Sequence, residues 1–157
     1  MITPDTPERL RTDIADAGLR GAWVTPDGVA DLPAMTGAYA LILRLAHPVR
    51  LDLPTIDAAE IPPGWYVYAG SANGPGGVRA RLARHFRRDK RRHWHVDRLS
   101  VAASDMAALA VAGGVECDLV ARLLQAPMFT MAAVGFGSSD CGRCAGHLLR
   151  YHLSRNR

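Results

Sequence analysis

Two nearly continuous apolar runs stand out along the chain. Gly37 to Leu45 reads Gly-Ala-Tyr-Ala-Leu-Ile-Leu-Arg-Leu, and Trp65 to Ala69 reads Trp-Tyr-Val-Tyr-Ala. Short runs rich in aliphatic and aromatic residues predict buried strands. Pro48, Pro54, Pro62, Pro63 and Gly64 punctuate the interval between them. The two strands are therefore expected to pair antiparallel across a long connection, with Leu51 and Leu53 extending a hairpin arm. Tyr39 and Tyr68 would then sit on neighbouring strands. Met106 to Ala112 predicts a third strand, ended by Gly113-Gly114, and Met131 to Val134 a short edge strand.

Helical spacing marks other stretches. Leu10, Ile14 and Ala17 predict a short packing helix within residues 8 to 20, part of an N-terminal extension over 1–36. After the turn cluster Asn73 to Gly77, Val78, Leu82 and Phe86 recur every four residues, which is the apolar stripe of a helix. Arg81 and His85 share another face of it and can address one object. Trp94 to Leu99 is read as the start of a second short helix. Val115 to Gln125 carries Leu119, Val120, Leu123 and Leu124 in a helical pattern that stops before Pro127, with Glu116 in its first turn. The segment 135–142 is a loop, and 145–153 is a last helical or extended piece. The sum is one α/β domain, residues 37–157, behind the extension.

Charge sharpens the picture. The 157-residue chain carries a formal charge of +4, and from Arg79 to Arg98 nine Arg or Lys face only Asp89 and Asp97, with Trp94 and three histidines among them. Such a stretch is either a solvated face or a surface for an anionic partner, nucleic acid in particular. The first residues lack the apolar core of a secretory signal, and no stretch has the length of a membrane span. Three cysteines, two of them spaced Cys-x-x-Cys, argue against a disulfide scaffold, so a reduced, cytoplasmic setting with no membrane partner is expected. Cys141, Cys144 and His147 have ligand-like spacing, and Cys117 or His152 would complete four positions for tetrahedral zinc. One close pair is a short signal, so packing as small hydrophobes or a reduced pair is the first expectation and a structural Zn²⁺ the second.

Phenols, a guanidinium, an imidazole and a carboxylate are the groups needed to cut a phosphodiester, and they occur here in an ordered set. Gly37-Ala38-Tyr39 and Tyr68-Ala69-Gly70-Ser71 are followed by Arg81-Leu82-Ala83-Arg84-His85 and then by Glu116. In this order they resemble the motifs of the GIY-YIG nuclease superfamily. A closer resemblance is to its DUF123 branch, in Tyr-Val-Tyr-x-Gly-Ser-Ala at Tyr66 to Ala72, Trp-His-x-Asp at Trp94 to Asp97, and Glu-Cys at 116 and 117. Gly-Phe-Gly-Ser-Ser-Asp-Cys at Gly135 to Cys141, with His147-Leu148 following, adds to it. The sequence departs from the superfamily in having alanine at both central isoleucine positions and a longer interval between the two signatures. It also lacks a match for a late asparagine, in whose neighbourhood Ser138, Ser139 or Asp140 stands.

The resemblance implies a small GIY-YIG-like α/β domain: a three-stranded antiparallel sheet flanked by helices, with a long hairpin insertion and a Cys-containing C-terminal extension. It implies a metal-dependent endonuclease acting on DNA, with RNA as an open alternative. Glu116 would hold Mg²⁺ or Mn²⁺, Arg81 a non-bridging phosphate oxygen, Tyr39 or Tyr68 the attacking water, and His85 a proton or a phosphate. Arg79, Arg84, Arg88, Lys90, Arg91, Arg92 and His95 are the expected nucleic-acid contacts. Two other functions compete: a catalytically silent nucleic-acid-binding module of the same fold, and an interaction domain whose basic face is only solvated. Oligomeric state has no signature in the sequence.

Overall fold

The computed structural model describes residues 8–56, 58–137 and 141–153. Its centre is an antiparallel trio. β2 (Gly37–Leu45) pairs along its whole length with β5 (Gly64–Ala72) on one side and, from Gly37 to Arg44, with β6 (Asp105–Ala112) on the other. The trio does not stand alone. β1 (Ala22–Val24) pairs with β6, β8 (Leu148–Tyr151) with β5, and β7 (Phe129–Met131) with β8, giving a six-stranded sheet in the order β1-β6-β2-β5-β8-β7. The three-stranded expectation is thus corrected to six. The added strands have only three or four residues, and the two at the edges present few unpaired backbone groups.

Both sheet faces are covered, which is why β2 and β5 read as continuous rather than alternating apolar runs. On one face Tyr39, Leu41, Leu43, Tyr66 and Tyr68 pack with Val78, Leu82 and Phe86 of α2 (Gly77–Phe86), with Leu99 of α3 (Asp97–Ser100), and with Phe136. On the other, Ala38, Ala40, Ile42, Val67 and Ala69 pack with Leu10 and Ile14 of α1 (Glu8–Asp16) and with Leu119, Val120 and Leu123 of α4 (Glu116–Leu124). Leu10 and Ile14 are fully buried, worth about 1.5–3 kcal/mol each, and the Tyr151 hydroxyl donates to Asp13 at 2.6 Å to tie α1 to β8. Ala38 and Ala69, the departures from isoleucine, lie buried within this second cluster.

Several boundaries differ from the sequence reading for local reasons. The hairpin arm is a separate two-stranded ribbon of β3 (Val49–Arg50) and β4 (Glu60–Ile61), with Leu51 buried beside it. The helix expected from Trp94 begins at Asp97, whose carboxylate takes the backbone N–H groups of His93 and Trp94. The edge strand expected at 131–134 lies at Phe129–Met131, because a turn closed by Phe136 N–H to Ala133 O takes the residues that follow. The final piece is extended. Entry into α2 uses Gly76 and Gly77, both at positive φ (82° and 59°), and a Cβ on Gly77 would meet the Met35 carbonyl oxygen at 2.1 Å. No helix among the described residues is long and apolar enough to cross a membrane.

Candidate active site

The register of β2 on β5 sets Tyr39 opposite Gly70, so the first signature faces the second. The Tyr39 ring lies across Gly70: a Cβ there would stand 2.3 Å from the phenol oxygen and 2.4 Å from Cζ. Gly137 does the same for Tyr68, since its Cβ would meet that ring at 2.7 Å. Tyr39 is 1% exposed, and its hydroxyl is 2.7 Å from His85 Nε2, while His85 itself is fully buried. Burial, then the charges of Lys90, Arg81 and Arg84 against the opposing Asp97, pushes the His85 imidazole down to about 3, so it is neutral at every working pH. Burial likewise holds both phenols protonated, Tyr68 at about 12 and Tyr39 higher still, although Arg81 opposes the rise at each. His85 therefore stands behind Tyr39 and positions it; it does not line the cleft.

A cleft of about 290 Å³ opens in front of the phenols, lined by Tyr39, Tyr68, Ser71, Arg81, His93, Trp94, His95 and Glu116, among others. Arg81 is held from two sides. Its Nη1 donates to Ser71 O at 3.3 Å, and its guanidinium carbon lies 4.3 Å from the centre of the Trp94 ring. Trp94 is fixed in turn by a clamp that sequence reasoning did not single out. Arg84 donates twice to the buried Asp97 carboxylate, at 2.8 Å each, and its own guanidinium lies 4.2 Å from the same indole. Burial pushes the Asp97 carboxyl up, but Arg84 and the two backbone N–H donors hold it down at about 2. His95 Nδ1 accepts the Gly137 N–H at 2.9 Å, which leaves Nε2 as the protonated ring nitrogen of the neutral imidazole.

Glu116 reaches the cleft from the first turn of α4. Its carboxylate is 28% exposed, makes no hydrogen bond among the described residues, and lies 3.9 Å from His147 Nδ1. Behind it, Cys117, Cys141, Cys144 and His147 come together with one potential ligand atom each, all within 4.8 Å of one another.

Placed in the fold, the expected phosphate contacts divide. Arg84 is committed to Asp97. Lys90 donates to the carbonyls of Arg84 and His85 and so closes the C-terminus of α2. Arg79 reaches Leu32 O, and Arg88 the carbonyls of Ala103 and Ser104. Arg91 and Arg92 are exposed, with no side-chain partner among the described residues. His93, at the cleft, was missed; its signal was the His-x-His pair it forms with His95. Ser138, Ser139 and Asp140 lie outside the described residues.

No curated protein and no solved structure matches this chain. The profile of the family described as "Domain of unknown function DUF123" matches residues 38–157, from the first signature through the cysteine-bearing end. That span holds every residue of the cleft described above, and the chain belongs to the DUF123 family.

Proposed function

We propose that the cleft hydrolyses phosphodiester bonds of DNA in a reaction of GIY-YIG type that depends on a divalent cation. The observation that carries this reading is the convergence of Tyr39 from β2, Tyr68 from β5, Arg81 from α2 and Glu116 from α4 on one opening of about 290 Å³. Arg81, braced by Ser71 O and Trp94, offers a rigid guanidinium to the non-bridging oxygens, where charge grows as water attacks phosphorus and the bond to the leaving oxygen breaks. His95, with Nδ1 occupied, offers Nε2–H to the same phosphate. The phenols are too weakly acidic to act as phenolates at neutral pH, so they hold and orient the attacking water by hydrogen bonds. The Tyr39 oxygen, held 2.7 Å from His85 Nε2, keeps hydrogen-bonding capacity for that water.

The part-exposed carboxylate of Glu116, with one oxygen near His147 and the other left for the cleft, suits Mg²⁺, which keeps most of its waters and takes one or two carboxylates. Such an ion would supply charge relief at the phosphoryl group and the leaving oxygen. The exposed Arg91 and Arg92 would track the backbone on either side.

One observation favours the second reading, binding without cutting: Glu116 is the sole carboxylate on the cleft wall among the described residues. The two readings separate on a panel of labelled duplex, flap and branched DNAs and their RNA counterparts, incubated with Mg²⁺, Mn²⁺ or chelator. Metal-dependent products support cleavage. Salt-sensitive retention without products across the panel makes the silent module the better account.

A further inference from the structure

We infer that Cys117, Cys141, Cys144 and His147 form a structural zinc site that builds the rear wall of the cleft. The four come from three places in the sequence: the first turn of α4, a Cys-x-x-Cys turn, and the residue entering β8. Nothing about local chain geometry requires them to meet. Their ligand atoms nonetheless fall within 4.8 Å of one another, with Cys117 Sγ and Cys141 Sγ 3.2 Å apart. Tetrahedral zinc with bonds of about 2.3 Å to sulfur and about 2.0 Å to nitrogen requires ligand atoms separated by roughly 3.5–3.8 Å, so the set needs only small adjustments.

A second observation is independent of the thiols. His147 is 2% exposed, yet neither ring nitrogen has a hydrogen-bond partner among the described residues. Leaving a buried imidazole doubly unsatisfied is costly, and a ligand on one nitrogen removes much of that cost. A third concerns Cys141, whose sulfur accepts the backbone N–H groups of Arg143 and Cys144 at 3.4 Å each. Two donors aimed at one sulfur shape the turn so that both cysteines face the same point. Three thiols and one imidazole make a closed donor set with no open position, the composition of a structural rather than a catalytic zinc site. On binding, each thiol releases its proton to solvent, and no redox step is involved.

His147 Nδ1 is the nitrogen that faces the Glu116 carboxylate, at 3.9 Å, which leaves Nε2 for the metal. Zinc on Nε2 keeps a proton on Nδ1 and turns it toward Glu116, an arrangement in which the carboxylate orients the metal-bound imidazole. Glu116 and Cys117 are adjacent in the first turn of α4, so the zinc would also anchor the turn that carries Glu116. The site stands apart from the cleavage reading, because it needs neither nucleic acid nor Mg²⁺.

The test uses the full chain, purified under reducing conditions without added metal, with zinc counted by plasma mass spectrometry. X-ray absorption at the zinc edge then reads the donors. About one zinc per chain is expected, surrounded by three sulfurs and one nitrogen. Cys144→Ser and His147→Asn should lose it, whereas Glu116→Gln should retain it, so that a failure of the zinc site is distinguishable from a failure of the metal role given to Glu116. Should the variants not fold, Co²⁺ titrated into reduced metal-free wild type should give the intense visible bands of a tetrahedral thiolate site. Absence of both zinc and those bands, or a Cys117–Cys141 disulfide in protein alkylated at lysis, would overturn the inference.

Discussion

Replacing Gly70 with alanine tests the physical link between the two signatures. The new Cβ would stand 2.3 Å from the Tyr39 oxygen, 2.4 Å from Cζ and 2.9 Å from Cε2, where non-bonded atoms settle at about 3.5–4.0 Å. Two overlaps of roughly 1 Å must therefore be relieved. Backbone movement is resisted, because β5 is paired with β2 here and the neighbouring Ala69 N–H donates to His147 O at 3.0 Å. The Tyr39 ring has to swing, which breaks its 2.7 Å contact with His85. Overpacking of this kind costs about 1–3 kcal/mol, readable by urea denaturation. Tyr39→Leu removes the clashing atoms, so in a double-mutant cycle Gly70→Ala should become nearly neutral on the Tyr39→Leu background, with a coupling of about 1 kcal/mol or more. Additive costs would refute the reasoning, as would a Gly70→Ala protein as stable as wild type.

Acid should destabilise the fold in two stages. His85 is kept neutral in the folded chain down to about pH 3 while the unfolded chain takes up a proton below about 6.5, so stability falls with pH across that window by about 1.4 kcal/mol per unit at most. His85→Gln should flatten that slope in denaturation series at pH 4 to 7, read as midpoint against pH. Asp97 contributes stability above its unfolded value near 3.8, lost as pH falls toward about 2; Asp97→Asn leaves Arg84 without its charged partner and should cost about 3 kcal/mol at neutral pH, measured by the same assay. If cleavage is found, its pH profile should show no titration near 6.5 from His85 and no phenolate limb below about pH 10.

How much of this was written in the chain differs residue by residue. Tyr39, Tyr68, Arg81 and Glu116 were legible because their order along the sequence is itself a pattern, and the central trio because long apolar runs in strands covered on both faces have few other uses. β1 left no trace, since three residues with one buried side chain carry no period, and its pairing with β6 is decided by the fold. The basic run was ambiguous for a physical reason. Arginine in a run looks the same whether it reaches solvent, as Arg91 does, or closes on a buried carboxylate, as Arg84 does. Asp97 was equally opaque, an acid within a basic stretch whose role depends on its burial. The cysteines displayed their spacing, but Cys117 lies 24 residues before Cys141, a separation that only the packing of α4 against the chain end closes.

The central claim is that Arg81 and Glu116 serve one phosphodiester-cleaving centre. Single-turnover cleavage of the best DNA substrate with Mg²⁺, comparing wild type with Arg81→Ala and Glu116→Gln of unchanged stability, tests it most directly. Each variant should cut roughly 10²- to 10³-fold more slowly while DNA binding changes much less. Undiminished cutting in either variant, or no cutting by wild type on any DNA or RNA offered, would contradict it.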